Sequence, residues 1–131
     1  MAALSDYAEN LVLNWLMTTG SATRPTAWYV SLHTGSPNDA DDGANEISGN
    51  GYSRQALTVD AASGTGGTTS NNANVTFTAS GGDWGTISHI GIYDASTSGN
   101  LLWHGSMTAS KTIADGDTLQ FNTGNIDLTI A

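Results

Sequence analysis

Any chemistry performed by this 131-residue chain has to draw on three histidines, His33, His89 and His104, and on twelve acids, because the sequence contains no cysteine. Thiolate metal sites, cysteine nucleophiles and disulfides are thereby excluded. In the stretch GGDWGTISHIGIYDA (81–95), apolar and polar side chains alternate as in a half-buried strand, with His89 near its middle. If Ile90 and Ile92 face a core together with Leu101 and Trp103, a hairpin through Asp94 to Gly99 pairs Ile92 with Leu101 and Ile90 with Trp103. That register sets His89 opposite His104. A facing pair supplies half a zinc site or a pH switch, but zinc takes three or four ligands and the pattern offers no third. The expectation is two outward imidazoles at a strand surface or a subunit contact, with no metal and no cofactor.

The run SPNDADDGANE (36–46) is the densest acidic patch, with Asp39, Asp41, Asp42 and Glu46. Hard cations take carboxylate oxygens, yet the spacing fails the calcium-loop pattern, so a solvated acidic loop is expected. Serines abound, but no GxSxG elbow supports a Ser-His-Asp arrangement. No paired carboxylates at a defensible separation and no Gly-rich strand-to-helix loop point to glycoside hydrolysis or a phosphate cradle. Trp28, Tyr29, Tyr52, Trp84, Tyr93 and Trp103 are numerous enough for a carbohydrate platform, although most fall in phase with core positions. No catalytic residue is assigned, and the chain is expected not to be an enzyme.

The elements that must hold these residues are mostly strands. Thr (18), Gly (16), Ser (14) and Asn (11) dominate the composition, a mixture that favours pleated surfaces and turns over helices. One segment reads as an amphipathic helix within residues 1–20. Ser5 is its N-cap, Asp6 lies in the first turn, Leu4, Ala8, Leu11, Val12 and Trp15 recur at helical spacing, and Gly20 ends the run. Leu13, Leu16 and Met17 widen the apolar stripe beyond one face, so part of it is expected to meet another chain. Strands are expected over 26–33, 52–59, 74–79, 86–93, 101–107, 118–122 and 126–130, with Trp28, Val30 and Leu32 on one face of the first. Gly- and Asn-rich turns separate them, including ASGTGGTTSNN at 62–72. The fold class is mainly β: one domain over 1–131, an antiparallel sandwich or barrel of about seven strands at 26–131 behind the N-terminal helix.

Twelve acids against Arg24, Arg54 and Lys111 give a formal charge of −9. Nucleic acid is excluded as a partner, since binding it requires cations to displace counterions. Anionic membranes are excluded on the same ground. The amino terminus carries acids where a signal peptide carries positive charge, and no run is long enough to span a bilayer, so a soluble product made in the cytoplasm is expected.

The segments LSDYAENLVLNWL, YVSLHTGSP, EISGNGYSRQAL and DWGTISHIGIYDASTSGNLLWHGSM, in that order, resemble small virion proteins of tailed bacteriophages, often labelled tail-fibre-like. Similar β-rich modules serve as capsid decoration or cement proteins. The resemblance implies a structural virion component without catalytic residues, made in the host cytoplasm, and a homo-oligomer for which a trimer is favoured. Its partners would be the major capsid protein or other virion proteins. The foremost expectation is decoration of the outer shell, bridging capsid subunits; the alternative is a tail-associated module that binds host-surface glycans. Leu4, Leu11, Trp15, Leu16, His89 and His104 are the residues expected at a contact between chains.

Overall fold

The alternation of residues 81–95 does build a strand, and its partner is longer than its own. The computed structural model describes residues 2–39, 43–62, 64 and 66–130. In chain order the elements are β1 (Ala2–Leu4), α1 (Asp6–Met17), β2 (Tyr29–His33), β3 (Gln55–Ala56), β4 (Thr68–Ser70), β5 (Val75–Thr78), β6 (Gly85–Tyr93), β7 (Leu101–Ile113), β8 (Thr118–Phe121) and β9 (Asp127–Thr129). The larger sheet runs β3-β2-β6-β7-β1-β9-β4, and β5 pairs with β8 in a second, two-stranded sheet. All pairings are antiparallel except that of β1 with β9. The architecture is sandwich-like and mainly β with one N-terminal helix; it does not close into a barrel.

Period-two patterning places the core between the sheets. Val30 and Leu32 of β2 and Ile87 and Ile92 of β6 face Val75 and Phe77 of β5 and Leu119 of β8. Phe77 is the centrepiece. Its ring stacks on Tyr52 at 6.3 Å and meets Phe121 edge-on at 6.4 Å, while Trp84 approaches Tyr52 edge-on at 5.7 Å. On the solvent side of the small sheet, Thr76 donates to Gln120 (3.0 Å) and Thr78 meets Thr118 (3.2 Å), a ladder that suits β-branched polar residues.

Several boundaries differ from the expected ones. Leu4 belongs to β1, opposite Trp103, because the Ser5 cap is extended (φ −77°, ψ 163°) and no helix can run through it. The helix ends at Met17, where Thr18 turns extended and its hydroxyl donates to the Asn14 carbonyl (2.7 Å). Of the segment 52–59 only Gln55–Ala56 is strand, and β2 begins at Tyr29, leaving Trp28 40% exposed rather than on the core face. The stretch 62–72 contains β4, which pairs with β9.

The hairpin register is also corrected. Ile92 pairs with Trp103 and Tyr93 with Leu101, so one extra residue, Leu102, is accommodated in β7 as a bulge. Ile90 then faces Gly105, His104 faces Gly91, and His89 faces Ser106 rather than His104. Both leucines find burial, Leu101 completely and Leu102 at 5% exposure, which is what lets the strand absorb the insertion.

Gly91 marks the tightest approach on the face of the large sheet away from Phe77. A Cβ there would lie 2.6 Å from Ser31 Oγ, 2.9 Å from Leu101 Cδ1 and 3.1 Å from His33 Nε2. Gly91→Ala is expected to cost about 1–3 kcal/mol as overpacking, read as a lowered urea midpoint at unchanged m-value.

Candidate functional site

The sheet face behind the main core collects the residues whose chemistry the sequence brings to notice. Alternation from Val30, Leu32, Ile90 and Ile92 leaves Ser31 and His33 of β2 and His89 and Gly91 of β6 on the opposite side, and the register adds His104 and Ser106 of β7. Backbone bonds tie the described residues that follow β2 and the start of α1 to these strands and to each other. Thr34 N donates to Asn45 O (3.0 Å), Ile47 N to Leu32 O (3.1 Å) and Asp6 N to Asp39 O (3.1 Å).

Each histidine is engaged locally. His33, fully buried, places Nδ1 2.8 Å from the Ala44 carbonyl, which fixes the proton on Nδ1, and Nε2 accepts from the Ser31 hydroxyl at 2.8 Å. A serine 2.8 Å from an imidazole has the reach of a nucleophile and its base, but Ser31 and His33 are both at 0% exposure, packed against Gly91. His89 meets His33 across β2 and its Nδ1 contacts Ser88 Oγ (2.8 Å). His104 Nε2 pairs with Asp39 Oδ1. Among the described residues no three His, Asp or Glu side chains converge as a metal site. Asp41 and Asp42 of the acidic run lie outside the described residues.

The strongest polar unit was not visible in the sequence. Arg54 forms a two-pronged bond to Glu46, Nε to Oε1 and Nη2 to Oε2, both at 2.8 Å. Its Nη1 donates to the carbonyls of Ala95 (3.0 Å) and Ser98 (2.7 Å), and its guanidinium carbon lies 3.6 Å from the centre of the Tyr93 ring. One side chain thus ties the 94–99 turn to the 34–47 segment. The Tyr52 hydroxyl donates to Glu46 Oε1 (2.9 Å) and accepts from Leu32 N (3.1 Å), satisfying a backbone donor that β3 is too short to reach.

Burial pushes the Glu46 carboxyl up, and the hydrogen bonds from Arg54 and Tyr52 with the Arg54 charge overturn that, holding it below its ordinary 4.5. Burial drives the His33 imidazole below its ordinary 6.5; the bond to Ala44 and the charge of Glu46 oppose the shift, while Arg54 and His89 reinforce it. The consequence for stability follows from which state binds protons first. On acidification the unfolded chain takes up the His33 proton before the folded one, so stability is full above pH 6.5 and falls as pH drops toward the folded value. Glu46 adds a second loss below pH 4.5. His33→Gln is expected to flatten the first decline, whose slope is limited to about 1.4 kcal/mol per pH unit; urea midpoints on either side of pH 6.5 measure it.

Two surface features remain outside this network. Between β7 on one side and β8 with the 124–127 turn on the other, the sandwich is open along a groove of about 560 Å³, lined by Ile90, Met107, Leu119 and Phe121 among others. Lys111 and Asp127 are the titratable groups in its lining. The second feature is the end of α1. Ala8 is buried, Leu4 and Leu11 are half-buried, and Leu13, Trp15, Leu16 and Met17 are 58%, 69%, 61% and 77% exposed. Four large apolar side chains within five residues form a patch of the kind that marks a protein contact. By contrast Trp84 is buried, its Nε1 donating to Asn50 O (2.9 Å), and Trp103 packs against the core.

No helix among the described residues is long and apolar enough to cross a membrane. No curated protein matches the chain. A family model described as "Podophage GP4 fiber I protein gp80" matches residues 3–129. With nearly its whole length under that match, the chain belongs to this family of phage fibre proteins and is a structural component of the virion.

Proposed function

We propose that the protein is a building module of the tail-fibre apparatus, held in place by protein contacts and performing no catalysis. The observation that carries this reading is the exposed apolar end of α1 on a body whose histidines and buried ion pair are all engaged internally. Such a patch is stable in water only when covered, and its covering supplies the association free energy. The fibre description of the family favours the tail over the capsid shell. Decoration of the shell, the foremost expectation from the resemblance, draws no separate support from the fold.

Direct glycan binding is the weaker reading. Trp84 is buried and Trp103, the other ring on which it turned, is half-buried against the core, whereas the most exposed indole, Trp15, sits beside leucines and a methionine on a helix. Counting copies per virion by quantitative mass spectrometry tests the assignment. A number matching the fibres supports the tail; a number matching the capsid subunits overturns it in favour of the shell.

A further inference from the structure

We infer that the α1 end of one copy docks into the β7/β8 groove of a second copy, a head-to-tail contact between identical chains. This rests on the structural role proposed above and goes further by naming both halves of the contact. No residue of the helix lines its own groove. Its N-terminus is tied to the start of β7 by Ser5, whose amide donates to Leu102 O (2.9 Å) and whose hydroxyl donates to Leu101 O. Asp39 joins that same side, accepting from Asp6 N through its carbonyl and pairing with His104 through its carboxylate. The groove runs along β7 residues 105–111, beyond the 103–105 stretch that β1 covers, and Met107 in its lining packs toward the core.

Charge selects the occupant. Two chains of formal charge −9 repel each other wherever acids meet, so a contact between copies needs surfaces poor in acid. Residues 10–23, NLVLNWLMTTGSAT, contain no charged side chain at all. The helix carries Asp6 and Glu9 in its first turn and no base in its last, so the partial negative charge of its C-terminal carbonyls has no cationic side chain beside it. Lys111, one of three cations in the chain, lies in the groove with a single acid, Asp127, so the lining carries no net charge and leaves an ammonium to meet the helix end. Apolar contact then comes from Trp15, Leu16 and Met17 against Met107, Leu119 and Phe121. A groove of about 560 Å³ is of the size that takes a few large side chains. Because the two surfaces differ, each added copy leaves one free helix end and one free groove, and the contact closes into a ring or extends as a filament.

The absence of cysteine allows a clean test. Met17→Cys and Thr108→Cys proteins, both substituted at exposed positions, are prepared separately, mixed and oxidised. The expected product is a mixed disulfide between the two variants, far exceeding either self-linked product. In the unsubstituted chain, sedimentation should show self-association, Trp15→Ala should weaken it at least about 30-fold, as for an interface anchor, and Lys111→Gln about threefold. A dominant Met17→Cys self-disulfide would mean helix-to-helix pairing and overturn the inference, as would a single-chain mass at every concentration. Copy number in virions reports separately on the proposed role: fibre-matched copies without the mixed disulfide remove this contact alone.

Discussion

Arg54→Ala lowers the unfolding free energy by about 3 kcal/mol, because removing one partner of a largely buried pair strands the other. Arg54 and Glu46 side chains are 8% and 18% exposed, so water replaces little of what is lost. The deletion leaves Glu46 with the Tyr52 hydroxyl, takes the donor from the Ala95 and Ser98 carbonyls, and uncovers the Tyr93 ring. In a chain of this size the melting temperature should fall by about 10 °C. Acid sensitivity should shift too: without Arg54 the Glu46 carboxyl rises, and stability is lost at higher pH than in the parent chain. Arg54→Lys should recover only part, since an ammonium cannot make the two-pronged bond and reach both carbonyls. Calorimetry of the three proteins measures this, and equal melting temperatures would show that the 94–99 turn and the 34–47 segment are held by something else.

Phe77→Ala is expected to be costlier still, about 4 kcal/mol, the sum of lost transfer free energy and the cavity left behind. Phe77 is 1% exposed and touches rings from both sides of the sandwich, Tyr52 and Phe121. The two-stranded sheet has only β5 and β8 to keep it in place, so its attachment depends on this packing more than on backbone bonds. Chemical denaturation should show a midpoint shift, and Phe77→Leu should cost markedly less. A near-neutral Phe77→Ala would mean that the small sheet is not anchored through the core.

How far these features were legible in the sequence depends on whether the signal is local. Strict alternation made β6 and β5 readable, and Ser5 declared the helix start through its capping geometry. Ala2–Leu4 has too little alternation to announce a strand; it becomes one because β7 offers an edge. Thr68–Ser70 hides among glycines and is made a strand by β9, with Thr68 and Thr129 hydroxyls 3.2 Å apart. The hairpin register failed at Leu101 and Leu102, where two adjacent apolar residues permit either phase, and only packing against both faces of the sheet decides that both are buried. The exposed stripe of Leu13, Leu16 and Met17 was legible as excess apolar surface on a short helix. The Arg54–Glu46 unit was not, because a charge pair that joins two loops leaves no periodicity behind.

Imaging the fibres of the intact virion at side-chain resolution is the most direct measurement of how this chain is placed. The expected map shows the Leu13–Met17 surface packed against protein in every copy, with His33 and Ser31 still sealed inside. Copies incorporated with Trp15 and Met17 facing solvent would contradict assembly through the helix end.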